Sequence, residues 1–158
     1  MYQLWGGGSP FKLAGGGDLT DCKGQRVVLM ANVREIILDL KTNPKWEGSQ
    51  IAVASCCDEP GWADECMNKF QISDELTLKD CVDVCEVHKG SKQGHLKNIS
   101  ETTGVPVTDM IFFDNERGNC VTVGKIGVTV VFTPNGVTQE EFEAGVEAHP
   151  SGGEIIQV

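Results

Sequence analysis

Short, almost unbroken apolar runs alternate along this chain with stretches whose apolar residues recur at helical spacing. That alternation narrows the possible folds more than any other feature. The runs are Val27-Val28-Leu29-Met30, Ile51-Ala52-Val53-Ala54, the stretch carrying Val82, Val84 and Val87, Met110-Ile111-Phe112-Phe113, and Val128-Thr129-Val130-Val131-Phe132. Between them, Val33, Ile36, Ile37 and Leu40 trace a helix that stops at Asn43-Pro44. A second helix is expected from Pro60 to about Phe70, and a third is capped by Ser91 and broken at Gly104-Val105-Pro106. A fourth runs to about Lys125, and a fifth opens at Thr138. Continuous apolar strands joined through helices are buried on both faces, so the expected fold is α/β, a doubly wound parallel sheet with helices on both faces. In such sheets a ligand sits beyond the carboxyl ends of the strands. The polar residues there are Ser55, Asp114 and Asn115, with Lys92 just past the turn that follows the third run.

The 158 residues suit one domain with a sizeable core. A formal net charge of -10 argues against a nucleic-acid backbone or an anionic membrane surface as partner, and any phosphate site must be basic locally. No apolar run approaches the ~20 residues of a membrane-spanning helix, and the first residues lack the pattern of a secretory signal. The seven cysteines are odd in number and irregularly placed. Cys81 and Cys85 are expected on one face of a single strand, and the thiols read as free groups of the cytoplasm or another reducing intracellular compartment rather than a zinc knuckle. Residues 1–26 read as a glycine-rich, flexible flap without strand or helix, 27–148 as the core, and 149–158 as a loose tail. Trp5 and Phe11 are expected to pack onto the domain or line a substrate mouth. No large cap domain is visible.

Each strand-end residue has two readings. Asp114 offers magnesium a hard oxygen ligand, with Asn115 beside it for a second ligand or water, or the pair simply caps the next helix. Ser55, followed by Cys56, offers a hydroxyl beside free N–H groups at a helix start, a cradle for phosphate oxygens, or is an ordinary N-cap. Lys92 either neutralises a phosphoryl oxygen or is a solvated lysine in a turn.

The order of these residues resembles the second, third and fourth motifs of the haloacid dehalogenase superfamily. The stretches are Val53-Ala54-Ser55, Gly90-Ser91-Lys92, and the long run from Thr103 through Phe113-Asp114-Asn115-Glu116-Arg117-Gly118-Asn119 to Val123-Gly124-Lys125-Ile126-Gly127-Val128-Thr129. The closer resemblance is to its magnesium-dependent phosphatase type-one, acid-phosphatase-like family. That resemblance implies hydrolysis of a phosphomonoester, on a small phosphorylated molecule or a phosphoprotein, through an aspartyl-phosphate. It also implies Mg2+ held by Asp114 and Asn115, Ser55 and Cys56 against the phosphoryl group, and Lys92 balancing its charge.

The family's first motif, an apolar strand ending in Asp-x-Asp, has no match, since Asp-x-Asp occurs nowhere in the chain. Asp39 falls in a helical pattern, and Asp18 and Asp21 have the wrong spacing with no strand before them. The expectation is therefore a core lacking its first central strand through trimming at an internal methionine. Such a chain should have an unpaired slot in its sheet and weak or absent hydrolysis. The alternative is a catalytically dead phosphate-binding or scaffold protein.

Overall fold

The structure, a computed structural model, describes residues 2–4 and 6–158. Trp5 lies outside the described residues, so its expected place at the mouth or against the domain is not addressed. The chain opens with a three-stranded antiparallel sheet made of β1 (Lys12–Leu13), β2 (Leu19–Thr20) and β3 (Arg26–Val27). There follow α1 (Val33–Thr42), β4 (Ala52–Ser55), α2 (Pro60–Lys69), α3 (Leu78–Cys81), β5 (Val84–Val87) and α4 (Lys92–Thr103). The last elements are β6 (Ile111–Asp114), α5 (Arg117–Gly124), β7 (Thr129–Phe132), α6 (Gln139–Ala148) and β8 (Ile155–Ile156).

The fold is α/β with parallel strands and helices on both faces. Side chains on β4 and β5 alternate between two apolar clusters, as a period of two requires. Ile51, Val53, Cys85 and Val87 pack on one side with Val33 and Ile37 of α1 and Cys66 and Met67 of α2. Ala54 and Val84 pack on the other with Leu96 and Ile99 of α4, Phe112 of β6 and Val123 of α5. On the far face of β6 and β7, the Phe113 ring stacks on Phe142 of α6 at 6.0 Å.

The strands do not form one continuous sheet. β4 pairs in parallel with β5, and β6 with β7 and β7 with β8, but among the described residues nothing hydrogen-bonds β4 to β6. Two strands inside the domain therefore each present an unpaired edge, and α4 with its apolar cluster spans both sheets.

Four expectations need correction. The flap is ordered rather than a flexible loop. Phe11 is 1% exposed and meets Trp62 edge-on at 6.4 Å. Its N–H donates to Glu65 (2.9 Å), and Lys69 donates to its carbonyl (2.6 Å). The glycines there serve close packing: a Cβ on Gly7 would overlap the Asp21 carboxylate, and one on Gly8 would overlap the Trp62 ring. The run at 27–30 is not a core strand of the parallel sheet. Val27 and Leu29 point into the core while Val28 is exposed, and the segment belongs to the antiparallel flap, where Leu29 bridges Tyr2. A half-buried strand was disguised by an apolar residue on its outer face.

The tail at 149–158 is not loose. Its β8 adds a parallel strand to β7, with Ile155 opposite Val130 and Ile156 opposite Val131. The ordering comes from an open edge of β7 and from Ser151, whose N–H donates to the buried Thr129 hydroxyl at 3.0 Å. Cys81 and Cys85 likewise do not share a strand, because Cys81 ends α3 and Cys85 lies in β5. The signal missed was Thr77, which caps α3 reciprocally with Asp80 and turns the chain before the strand begins.

Candidate active site at the strand tips

Ser55 ends β4 and Asp114 ends β6, each the last polar residue of an apolar strand, so both reach the same end of the domain. Lys92 is the first residue of α4, set there by the Ser91 hydroxyl, which accepts the Gly94 N–H at 3.1 Å. Its side chain crosses from one sheet to the other. The Lys92 Nζ donates to the Ala54 carbonyl at 2.5 Å and stands 3.5 Å from Asp114 Oδ2. With side chains 11% and 8% exposed, the two charges are largely withdrawn from water. Lys92 thus links the end of β4, at Ala54, to Asp114 at the end of β6.

The surroundings of Asp114 are set locally. Its Oδ1 accepts the Glu116 N–H at 2.7 Å, a turn that starts α5. Asn119, on the first turn of that helix, donates from Nδ2 to both carboxylate oxygens at 3.2 and 3.1 Å. Asp114 therefore organises the turn that leads into α5, whose N-cap is Glu116, and presents a carboxylate beside a lysine. Asn115 is exposed, and its side chain makes no hydrogen bond among the described residues. Asn119, which sequence reasoning passed over as a site residue, is the amide that touches Asp114. Its place five residues on, in the first turn of the helix that follows the Asp114 turn, was the available signal.

The opposite wall is the turn after β4. The Ser55 hydroxyl has no hydrogen-bond partner among the described residues, while the Ser55 carbonyl accepts the His88 N–H at 3.1 Å. Cys56 is exposed and donates its thiol to the Gly90 carbonyl at 3.1 Å, tying the turn after β4 to the turn before α4. At the rim, Lys89 pairs with Asp58 at 3.2 Å, both well exposed.

The other aspartates are engaged elsewhere. Asp39 sits in α1, where it accepts from the Trp46 ring N–H (2.7 Å) and the Asn43 amide (2.9 Å); those bonds hold its pKa below the usual carboxylate range. Asp18 is bound by Arg26 and Arg34. Asp21 is 4% exposed and accepts the N–H groups of Lys23 and Gln25 within a turn. None of them lies at the carboxyl end of a strand of the parallel sheets.

A group of three or more His, Cys, Asp or Glu side chains placed to hold a metal ion is absent among the described residues. Magnesium keeps several waters and is commonly bound through one or two carboxylates plus substrate phosphate. The Asp114 carboxylate, with the amide of Asn115 next to it in the chain, could supply donors of that kind.

Residues 1–151 match the Acid Phosphatase family. The chain is similar to human magnesium-dependent phosphatase 1, with 32% identity over 138 residues, covering 87% of this chain and 73% of that protein. It is also similar to a HAD-like hydrolase superfamily protein of Schizosaccharomyces pombe, with 28% identity over 116 residues, covering 72% of this chain and 64% of that protein.

Proposed function

Because the chain belongs to the Acid Phosphatase family, we propose that it is a magnesium-dependent phosphatase core that seats a phosphoryl group between the tips of β4 and β6. The observation that carries this reading is the position of Lys92, whose ammonium joins the Ser55 strand to Asp114. A cation held at that junction, with the Ser55 hydroxyl on the same strand end, offers a phosphoryl oxygen both charge and a hydrogen bond. Ser55 and the Cys56 turn bind the oxygens, Lys92 balances their charge, and Asp114 with Asn115 holds the metal. Magnesium in this position would neutralise charge on the phosphoryl oxygens and orient them. The substrate class is a phosphomonoester, carried on a small molecule or on a protein.

The chain carries no Asp-x-Asp, and its other aspartates near the amino end are held in structural hydrogen bonds. Loss of a covalent nucleophile costs on the order of 10⁴- to 10⁶-fold in rate, so hydrolysis by this chain alone is weak or absent. The same fact favours the second reading, a phosphate-binding protein that keeps the cradle without the chemistry.

The deciding experiment is hydrolysis of p-nitrophenyl phosphate with magnesium. It compares this chain, its Asp114→Ala variant and a form extended upstream with an apolar strand ending in Asp-x-Asp. Turnover confined to the extended form and lost in its Asp114→Ala counterpart supports the phosphatase reading. Equal turnover by the 158-residue chain itself, dependent on Asp114, means another residue attacks phosphorus. No turnover in any form, with phosphate still bound, favours the scaffold.

A further inference from the structure

His95 is 1% exposed, and neither ring nitrogen has a hydrogen-bond partner among the described residues. Natural proteins rarely leave a buried imidazole unsatisfied without a use for it. The ring lies three residues beyond Lys92 on α4, with its backbone N–H donating to the Ser91 carbonyl at 3.0 Å. It meets the His88 ring edge-on at 4.5 Å. Its Nε2 would lie 3.1 Å from a Cβ added at Gly90, tighter than ordinary van der Waals contact.

Gly90 is not among the residues with positive φ. Its backbone would therefore accept an alanine conformationally, and what stands against a side chain there is the His95 ring, with His88 slightly farther away. The Gly90 turn is thus gripped from two directions: the Cys56 thiol holds its carbonyl, and the imidazole closes on its α-carbon. Burial, with His88 and Lys92 alongside, keeps the His95 pKa below the usual imidazole range, so the ring is neutral and adds no charge to the site.

We infer that His95 is a positioning residue for Lys92: its ring is the floor of the Gly90-Ser91-Lys92 turn and sets where the Lys92 ammonium stands between the Ala54 carbonyl and Asp114. The inference deepens the phosphate-site reading above, and its central test does not depend on that reading. Outer residues that orient a binding group commonly change affinity by about 10- to 100-fold when altered.

The test is mass-spectrometric acetylation of lysines in the folded chain, with fold checked by circular dichroism. Lys92, largely buried, should label slowly, and Lys89 at the rim quickly. His95→Ala should raise the Lys92 rate by about tenfold with Lys89 unchanged, and weaken binding of inorganic phosphate by a similar factor. If His95→Ala fails to fold, Gly90→Ala carries the test from the other side, since its methyl group pushes on the ring. Gly90→Ala should speed Lys92 labelling with His95 present and have no such effect beside His95→Ser. Folded His95→Ala with an unchanged Lys92 rate overturns the inference, as does a Gly90→Ala effect that persists without the imidazole. Wild-type protein that binds no phosphate, while Lys92 labelling still follows His95, overturns the phosphate site and leaves the positioning role standing.

Discussion

Lys92 Nζ stands 3.5 Å from Asp114 Oδ2 while donating to the carbonyl of Ala54, so one ammonium group joins two sheets that, among the described residues, share no strand hydrogen bond. Removing one partner of a largely buried pair leaves the other charge uncompensated. Lys92→Met should therefore destabilise the fold by about 3 kcal/mol in urea denaturation. Asp114→Asn in the same chain should return part of that loss, and strict additivity of the two changes would contradict the coupling.

Asn119 bonds both oxygens of Asp114, at 3.2 and 3.1 Å, and so fixes the plane of the carboxylate. Asn119→Ala should weaken magnesium binding, measured by calorimetry in the presence of inorganic phosphate, by about tenfold with the fold retained. An unchanged affinity would mean that the Glu116 N–H alone holds the carboxylate in place.

Phe11 places its ring in the core although it comes from the glycine-rich opening. Phe11→Ala should cost about 3–5 kcal/mol, as for other large-to-small core changes. A loss below about 1 kcal/mol would show that the flap is not part of the cooperative unit.

The flap is also clamped by Glu65, whose pKa is lowered to about 2 by the Lys69 ammonium, the Ser9 hydroxyl and the Phe11 N–H. A carboxylate with a depressed folded pKa stabilises above its ordinary value near 4.5 and loses that contribution as pH falls toward 2. Acid titration between those values should loosen the flap from α2, followed by Trp62 fluorescence. Glu65→Gln should flatten the response over that interval, and an identical titration in both proteins would remove Glu65 as its cause.

Much of the parallel core was legible in sequence because continuous apolar strands and capped helices are local features. Met110-Ile111-Phe112-Phe113 ending in Asp114 announces a buried strand with a carboxylate at its tip, and Ser91 and Thr138 mark helix starts where the structure has them. The flap and tail were misread because their order comes from partners far along the chain. Phe11 is held by Glu65, Trp62 and Lys69, and Ile155 by a strand edge formed by Val130. Composition rich in glycine reports conformational freedom in the unfolded chain, and it says nothing of the rings and carboxylates that will pack where a Cβ is absent.

By itself, the sequence determined the α/β class, the strand tips that bear Ser55 and Asp114, and the lysine at a helix start that makes a phosphate cradle chemically reasonable. These follow from periodicity, capping and residue type, which act within a few neighbours. Only the tertiary structure decided that Lys92 reaches both sheets, that Asn119 rather than Asn115 grips Asp114, and that His95 closes under Gly90. Those contacts depend on how the layers come together, and side-chain packing across separate elements leaves no periodic trace in the chain that encodes it.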